Sequence, residues 1–225
     1  IVAALFAVSI FTFLTLANAD ERLGLSSKHD LADTVKSWGI KHQRGFYTLG
    51  TIAALDSSTR SGFLTFVAFL MIEKGVATEL AATAVLATVF GGMCGKYAVG
   101  LIAERIGVAR TIILTEIATA GLIILVILLP SVAAFFLLPL LGVFLNGTSS
   151  AIYGSVADLI EGEKHSRAYA LIYTLGSACG LVAPLLYGLL ADSSSVTTAL
   201  VVVSAVVLLT VPLCGTLANA LNEAK

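Results

Sequence analysis

Asp56-Ser57-Ser58-Thr59-Arg60-Ser61 is the stretch of the chain whose residue types point most clearly to chemistry. Its carboxylate and guanidinium stand four residues apart, so on a helix they share a face and can pair with each other. A charge at the centre of a bilayer costs about 2.5–3.5 kcal/mol on insertion scales, and is retained there when it is paired or used. The couple is either a self-neutralised pair that fixes helix packing or a charge couple facing a cavity, and the surrounding hydroxyls favour the cavity. Glu116 is a second candidate, with no basic residue one helical turn away. A carboxyl group in that position can carry a proton near neutral pH, or can serve as a neutral acid in a packing hydrogen bond. Lys96 either snorkels to the interface or faces the same cavity. Asn146, Ser149, Ser150 and Tyr153 recur at helical spacing beside Thr148, as they would along an aqueous path, although such hydroxyls also bond back to their own helix. Gly176, Gly180, Pro184 and Gly188 recur every four residues, and Tyr169 and Tyr173 continue the row. Small residues at that interval make a packing seam. Gly91, Cys94 and Gly95 read alike, and Tyr173 and Tyr187 are also placed to face a solute.

The elements that hold these residues follow from composition. Of 225 residues 58% are hydrophobic and 12% charged, about half the charged share of roughly 25% in soluble domains, and mean hydropathy is +0.99. These values exclude a disordered chain and argue against a soluble domain. A net charge of −1 gives no basic footprint for nucleic acid. Crossing roughly 30 Å of hydrocarbon takes about 20 mostly apolar residues as a helix. Seven stretches qualify: 1–17, 51–72, 76–98, 108–129, 131–157, 167–191 and 196–218. Continuous apolar runs without period-two alternation disfavour a β-barrel. The expected fold is all-α and polytopic. Because 62–72 is too short to cross alone, its helix must begin before Asp56, which puts Arg60 about 12–14 Å below the membrane edge, near the midplane.

Lys and Arg mark the cytoplasmic side. Alternating the connections gathers Arg22, Lys28, Lys36, Lys41, Arg44, Lys96, Arg105, Arg110, Lys164, Arg167 and Lys225 on one side and leaves Lys74 alone on the other. The 18–50 loop and the C-terminus are then cytoplasmic. The run 1–17 leads into Ala17-Asn18-Ala19 before Asp20, which looks like a cleavage site, but cleavage would put the basic 18–50 loop outside, against the charge rule. The run therefore reads as the end of a truncated span, and the chain as the C-terminal part of something larger. Within 18–50, Leu31, Val35 and Trp38 share a face and Ser27…Asp30 resembles a capping box, as in a short interfacial helix. Cys94, Cys179 and Cys214 fall in spans without CxxC spacing and read as buried packing residues. His29, His42 and His165 all lie in loops, so no metal site is expected. The Asn146-Gly147-Thr148 sequon lies inside a span, beyond the reach of glycosylation.

Gly100-Leu-Ile-Ala-Glu104-Arg105-Ile-Gly107-Val-Ala-Arg110 resembles the signature of the major facilitator superfamily, G-x-x-x-D-R-x-G-x-[RK]-[RK]. Gly100, Arg105, Gly107 and Arg110 match, Glu104 conservatively replaces Asp, and Ala109 lacks the basic group. The resemblance covers essentially the whole chain: the end of a sixth helix, a central loop, and helices seven to twelve of a twelve-helix transporter. Asp56-Ser-Ser-Thr-Arg60-Ser-Gly-Phe-Leu-Thr-Phe, Leu145-Asn-Gly-Thr-Ser-Ser150 and Pro184-Leu-Leu-Tyr-Gly188 look like bacterial members near the fosmidomycin-resistance-like group, which implies the inner membrane. The resemblance implies a six-helix C-terminal bundle over 51–225 made of two inverted three-helix repeats, 51–129 and 131–218, with a partner half in the same polypeptide. It also implies a cytoplasmic gate in which Glu104 and Arg105 bridge neighbouring helix ends.

The implied mechanism is alternating access for a small-molecule substrate, with no cofactor. Arg60 would dock an anionic or polar group, Asp56 would compete for Arg60, and Glu116 or Asp56 would exchange protons. Proton-coupled efflux is the first expectation and uptake of an organic anion the second. A seven-helix receptor or retinal protein is the reading from another class, but the last span has no Lys, and no Asn-Pro-x-x-Tyr or Asp-Arg-Tyr occurs. A membrane enzyme is weakened by the lack of His in any span, and a channel by the lack of charge rings or a filter loop.

Overall fold

The computed structural model describes residues 40–160 and 165–223. The expected helix 1–17, the interfacial helix around Trp38 and most of the 18–50 loop lie outside the described residues. Within them the chain is helical: α1 (Gln43–Glu73), α2 (Thr78–Ile106), α3 (Val108–Leu128), α4 (Ser131–Val156), a 3-10 turn at Ala157–Leu159, α5 (His165–Ser193), α6 (Val196–Leu208) and α7 (Thr210–Glu223). The only extended pairing among the described residues is an isolated bridge between Ile40 and Ile160. α2, α3, α5, α4 with its 3-10 turn, and α6 with α7 give five rods long and apolar enough to cross a membrane. The sixth, α1, has the length, but its Asp56–Ser61 run carries two charges and four hydroxyls.

Two boundaries differ from the sequence reading. α1 starts at Gln43 rather than 51, because His42 caps it: the imidazole Nδ1 accepts the Gly45 N–H at 3.0 Å. Phe46 and Leu49 then extend the buried face of the span by two turns. The motif expected as a loop is helical through Ile106, and the turn narrows to Gly107. That residue ends α2 by donating to the Ala103 carbonyl (3.0 Å) and starts α3 by accepting from the Thr111 N–H (3.1 Å). Its φ of +90° is a conformation that only glycine adopts without strain, which accounts for the motif's need for it. The last rod is broken at Leu209 by Pro212, which lacks an N–H and whose ring conflicts with the carbonyl one turn back. Tighter local bonds bridge the break, the Leu209 N–H donating to the Val206 carbonyl (3.1 Å) and the Thr210 hydroxyl to the Val207 carbonyl (2.6 Å).

The rods pair in a regular way. α2 lies along α4 and α1 along α5, α3 packs on α4 and on α6–α7, and α1 packs on α6–α7. Exchanging the first three rods with the last three, in order, maps this set of contacts onto itself. At the α2–α4 crossing the backbones touch. A Cβ on Gly91 would strike the Pro139 backbone, one on Gly95 the Val143 backbone, and one on Gly142 the Thr88 backbone.

Besides a small cluster of Ala54, Leu175 and Cys179, the apolar interior has two large clusters. One cluster, toward Gly75, holds Phe63, Val67, Leu138, Tyr187 and Val203, and the other, toward Gly107, holds Leu49, Ile52, Ile112, Ile152 and Leu217. Every rod crosses the gap between them with polar or small residues: Asp56 to Ser61 on α1, Gly91 to Lys96 on α2, Thr115 to Thr119 on α3, Asn146 to Ser150 on α4, Tyr173 to Gly180 on α5, and the broken segment around Thr210. A polar layer therefore runs through the middle of an otherwise apolar bundle.

Candidate functional site

The charge couple of α1 lies in that layer. Asp56 Oδ2 and Arg60 Nη1 are 3.3 Å apart, with the carboxylate side chain 5% exposed and the guanidinium 22%. The acid thus points into the bundle and the cation borders open space. Arg60 Nη2 also donates to Ser57 Oγ at 3.0 Å, which holds the guanidinium along its own helix. Ser58 donates to the Ala54 carbonyl (2.7 Å), and the buried Thr59 hydroxyl has no partner among the described residues. The helix packs its hydroxyl face on α5, where a Cβ on Gly176 or Gly180 would come within 2.9 Å of Ser57 Oγ or Ser61 Oγ. Glycine at both positions lets α5 approach a polar helix closely.

Glu116 completes the arrangement from α3. It is fully buried, its Oε1 finds no hydrogen-bond partner among the described residues, and it lies within electrostatic reach of both Asp56 and Arg60. Sequence spacing along α3 offers no counter-charge, yet folding places one on another helix. Two carboxyl groups and one guanidinium on two helices thus lie within electrostatic reach of one another.

Next to this set an open groove of about 600 Å³ runs between α2, α4 and α5, lined by Lys96, Ser149, Ser150, Tyr153, Tyr169 and Tyr173. Tyr153 and Tyr173 hold their ring centroids 6.0 Å apart at an interplanar angle of 40°. Tyr153 is also within electrostatic reach of Arg60 and Asp56, so it joins the groove to the charged set. Ser149 donates back to the Asn146 carbonyl (2.7 Å) and Thr148 to the Phe144 carbonyl (3.0 Å).

Of the residues singled out from sequence, the fold brings Asp56, Arg60, Glu116, Tyr153, Tyr173 and Lys96 into one neighbourhood. Asn146 stands apart: its side chain fills the space against Gly92 of α2, and its closest acceptor is the Gly142 carbonyl at 3.5 Å. Tyr187 does not face a solute, because it is completely buried against Gly62, with its hydroxyl unpartnered among the described residues. Cys94 is exposed rather than a buried packing residue, whereas Cys179 and Cys214 are buried. Glu104, Arg105 and Arg110 are exposed around the Gly107 turn, Gly100 faces Ser150, and none of the three charges forms an ion pair among the described residues. Sequence spacing gave no hint of the His42–Glu223 contact (Nε2 to Oε2, 2.8 Å), which ties the start of α1 to the end of α7. In the sequence Lys74 stands out only as the one basic residue on its side. Its Nζ donates to the Ile127 and Leu129 carbonyls at 2.7 and 2.6 Å and caps α3, a role its position beyond a helix end could have suggested.

The Major Facilitator Superfamily model matches residues 47–219, and the chain belongs to that family. It is a multi-pass membrane protein of a transporter family. A search of curated proteins finds no match. The family match takes in all six rods and both the charged set and the groove, so the polar layer is part of the transporter bundle itself.

Proposed function

We propose that this bundle is one half of a secondary active transporter that moves a small organic solute by alternating access, coupled to protons. The observation that carries this reading is the buried carboxylate–guanidinium pair whose cation borders open space while a second, unpartnered carboxyl group lies within reach. An ion pair serving packing alone has no need of the second acid. Arg60 docks an anionic or polar group of the solute, Asp56 competes with it for the guanidinium, and Asp56 or Glu116 exchanges the proton. The self-mapping contact pattern supports two inverted three-helix repeats, with a second bundle of the same polypeptide closing the path. The basic loops support a cytoplasmic position for the Gly107 turn, and the resemblance of the sequence to the fosmidomycin-resistance-like group supports a bacterial inner membrane and proton-driven efflux as the first direction.

The groove favours a second reading, uptake of an organic anion. Protonating Asp56 releases Arg60, so a proton and an anion would bind together and travel the same way. The intact protein in sealed vesicles under an imposed pH gradient distinguishes the two. Efflux predicts that solute moves against the direction of proton flow, and anion uptake predicts that it moves with it. In either case Arg60→Ala lowers gradient-driven flux about tenfold or more. Wild-type flux and pH response in that variant contradict the proposed role.

A further inference from the structure

We infer that the groove between α2, α4 and α5 binds organic anions that carry an aromatic ring. This rests on, and deepens, the reading of the groove as part of the solute path. Lys96 is the only charged residue lining it, and its ammonium makes no ion pair or hydrogen bond among the described residues. The lysine sits about 15 Å along the axis from the Ile106 end of α2, inside the polar layer rather than at the helix tip. No Asp or Glu lines the groove among the described residues, and of the two acids in the polar layer Asp56 is held by Arg60 and Glu116 is buried. A free cation with no local counter-charge is an anchor for a carboxylate, sulfonate or phosphonate.

Three tyrosines supply the rest. Tyr153 and Tyr173 touch at an angle, which leaves a ring face of Tyr173 open, and that residue is 64% exposed. Tyr169 stands one turn before it on α5. A planar apolar ring placed against these faces gains offset or edge-on contact that a saturated ring of the same size does not. Tyrosine faces also attract cations, but repulsion from Lys96 at close range outweighs that attraction, so charge sign and ring shape select together. The Ser150 hydroxyl lines the same wall and has no hydrogen bond among the described residues, which leaves it free to donate to the anion.

An anionic lipid headgroup could use the same lysine, and the test separates the two sources. Binding of radiolabelled 2-naphthoate, its fully saturated analogue and 2-naphthylmethylammonium is measured by equilibrium dialysis on the intact protein in phosphatidylcholine nanodiscs. Naphthoate is expected to bind about tenfold more tightly than either comparison compound. Lys96→Gln should remove most of that advantage and Lys96→Arg should restore it. Tyr173→Leu should erase the preference for the aromatic over the saturated acid, whereas Tyr173→Phe should keep it. Equal binding of the anion and the cation, or unchanged naphthoate binding in Lys96→Gln, overturns the inference. Loss of naphthoate binding when phosphatidylglycerol is added to the nanodiscs also overturns it, in favour of a headgroup site. Arg60→Ala separates this inference from the transport reading. Naphthoate binding is compared in that variant and in Arg60→Ala/Lys96→Gln: a further loss on removing Lys96 keeps the anion site in the groove, and no further loss moves it to Arg60. Unchanged transport in the same variant removes the role proposed for Arg60 and leaves the groove's ligand class standing.

Discussion

The α2–α4 and α1–α5 contacts occupy equivalent places in the bundle, yet they are built from opposite materials. Along α2–α4 the backbones meet at Gly91, Gly95 and Gly142, with no room for a methyl group. Along α1–α5 glycines on one helix meet serine hydroxyls on the other, beside a buried ion pair. Dispersion between close backbones is short-ranged and fails with any added atom, so the first contact is a fixed hinge plate. Hydroxyls can turn and re-pair, so the second tolerates change and can host charges whose partners switch. One scaffold geometry thus supplies a rigid side and an adaptable side, and the open groove lies between α2, α4 and α5, where the two meet.

The largest effect should come from breaking the rigid contact. Gly95→Val drives a side chain into the Val143 backbone and should cost about 3 kcal/mol or more, with loss of monodisperse protein on size-exclusion chromatography. Gly176→Ala meets only the Ser57 hydroxyl and should cost about 1 kcal/mol or less. If the two variants behave alike in thermal unfolding, the contrast between the contacts is unfounded. Next in size, Glu116→Gln keeps the shape of the charged set but removes a titrating group. Gradient-driven transport should fall about tenfold while the melting temperature holds, and a transport rate still responsive to pH would assign proton exchange elsewhere. Lys74→Met should lower stability by about 1–2 kcal/mol through loss of the α3 cap, leaving transport per folded molecule unchanged. The smallest change is expected from Tyr187→Phe. Its hydroxyl is buried without a partner among the described residues, so removal should shift stability by less than about 1 kcal/mol, in the stabilising direction. A clear destabilisation there would reveal a bond to a group outside the described residues.

Much of this was legible in the sequence. Apolar run lengths located the rods, because a membrane leaves the backbone few alternatives to a helix. The i, i+4 spacing of Asp56 and Arg60 foretold their pairing, since one helical turn fixes it locally. Boundaries were less legible: the α1 start depends on His42 acting as a cap, and a polar sequence at 43–50 hid Phe46 and Leu49 as buried residues. Contacts across helices were not legible at all. Nothing in the spacing of Glu116 pointed to Arg60, nothing in Asn146 pointed to Gly92, and residue type alone made Tyr187 look equivalent to the exposed Tyr173 although its ring is sealed against Gly62. Such pairings are set by how rods cross, which a one-dimensional pattern does not encode.

Transport through this bundle requires Arg60 to border water at mid-membrane depth. A direct test uses the intact protein with Cys94 replaced by Ala, and compares Arg60→Cys with Ile117→Cys for modification by a membrane-impermeant, charged thiol reagent. Ile117 is the neighbour of Glu116 in the chain and half-exposed on the outer face of α3, so it reports the lipid side at similar depth. The account predicts rapid modification at position 60, slowed by bound solute, and little at position 117. Equal and negligible modification at both positions would place the guanidinium away from any aqueous path and contradict the account.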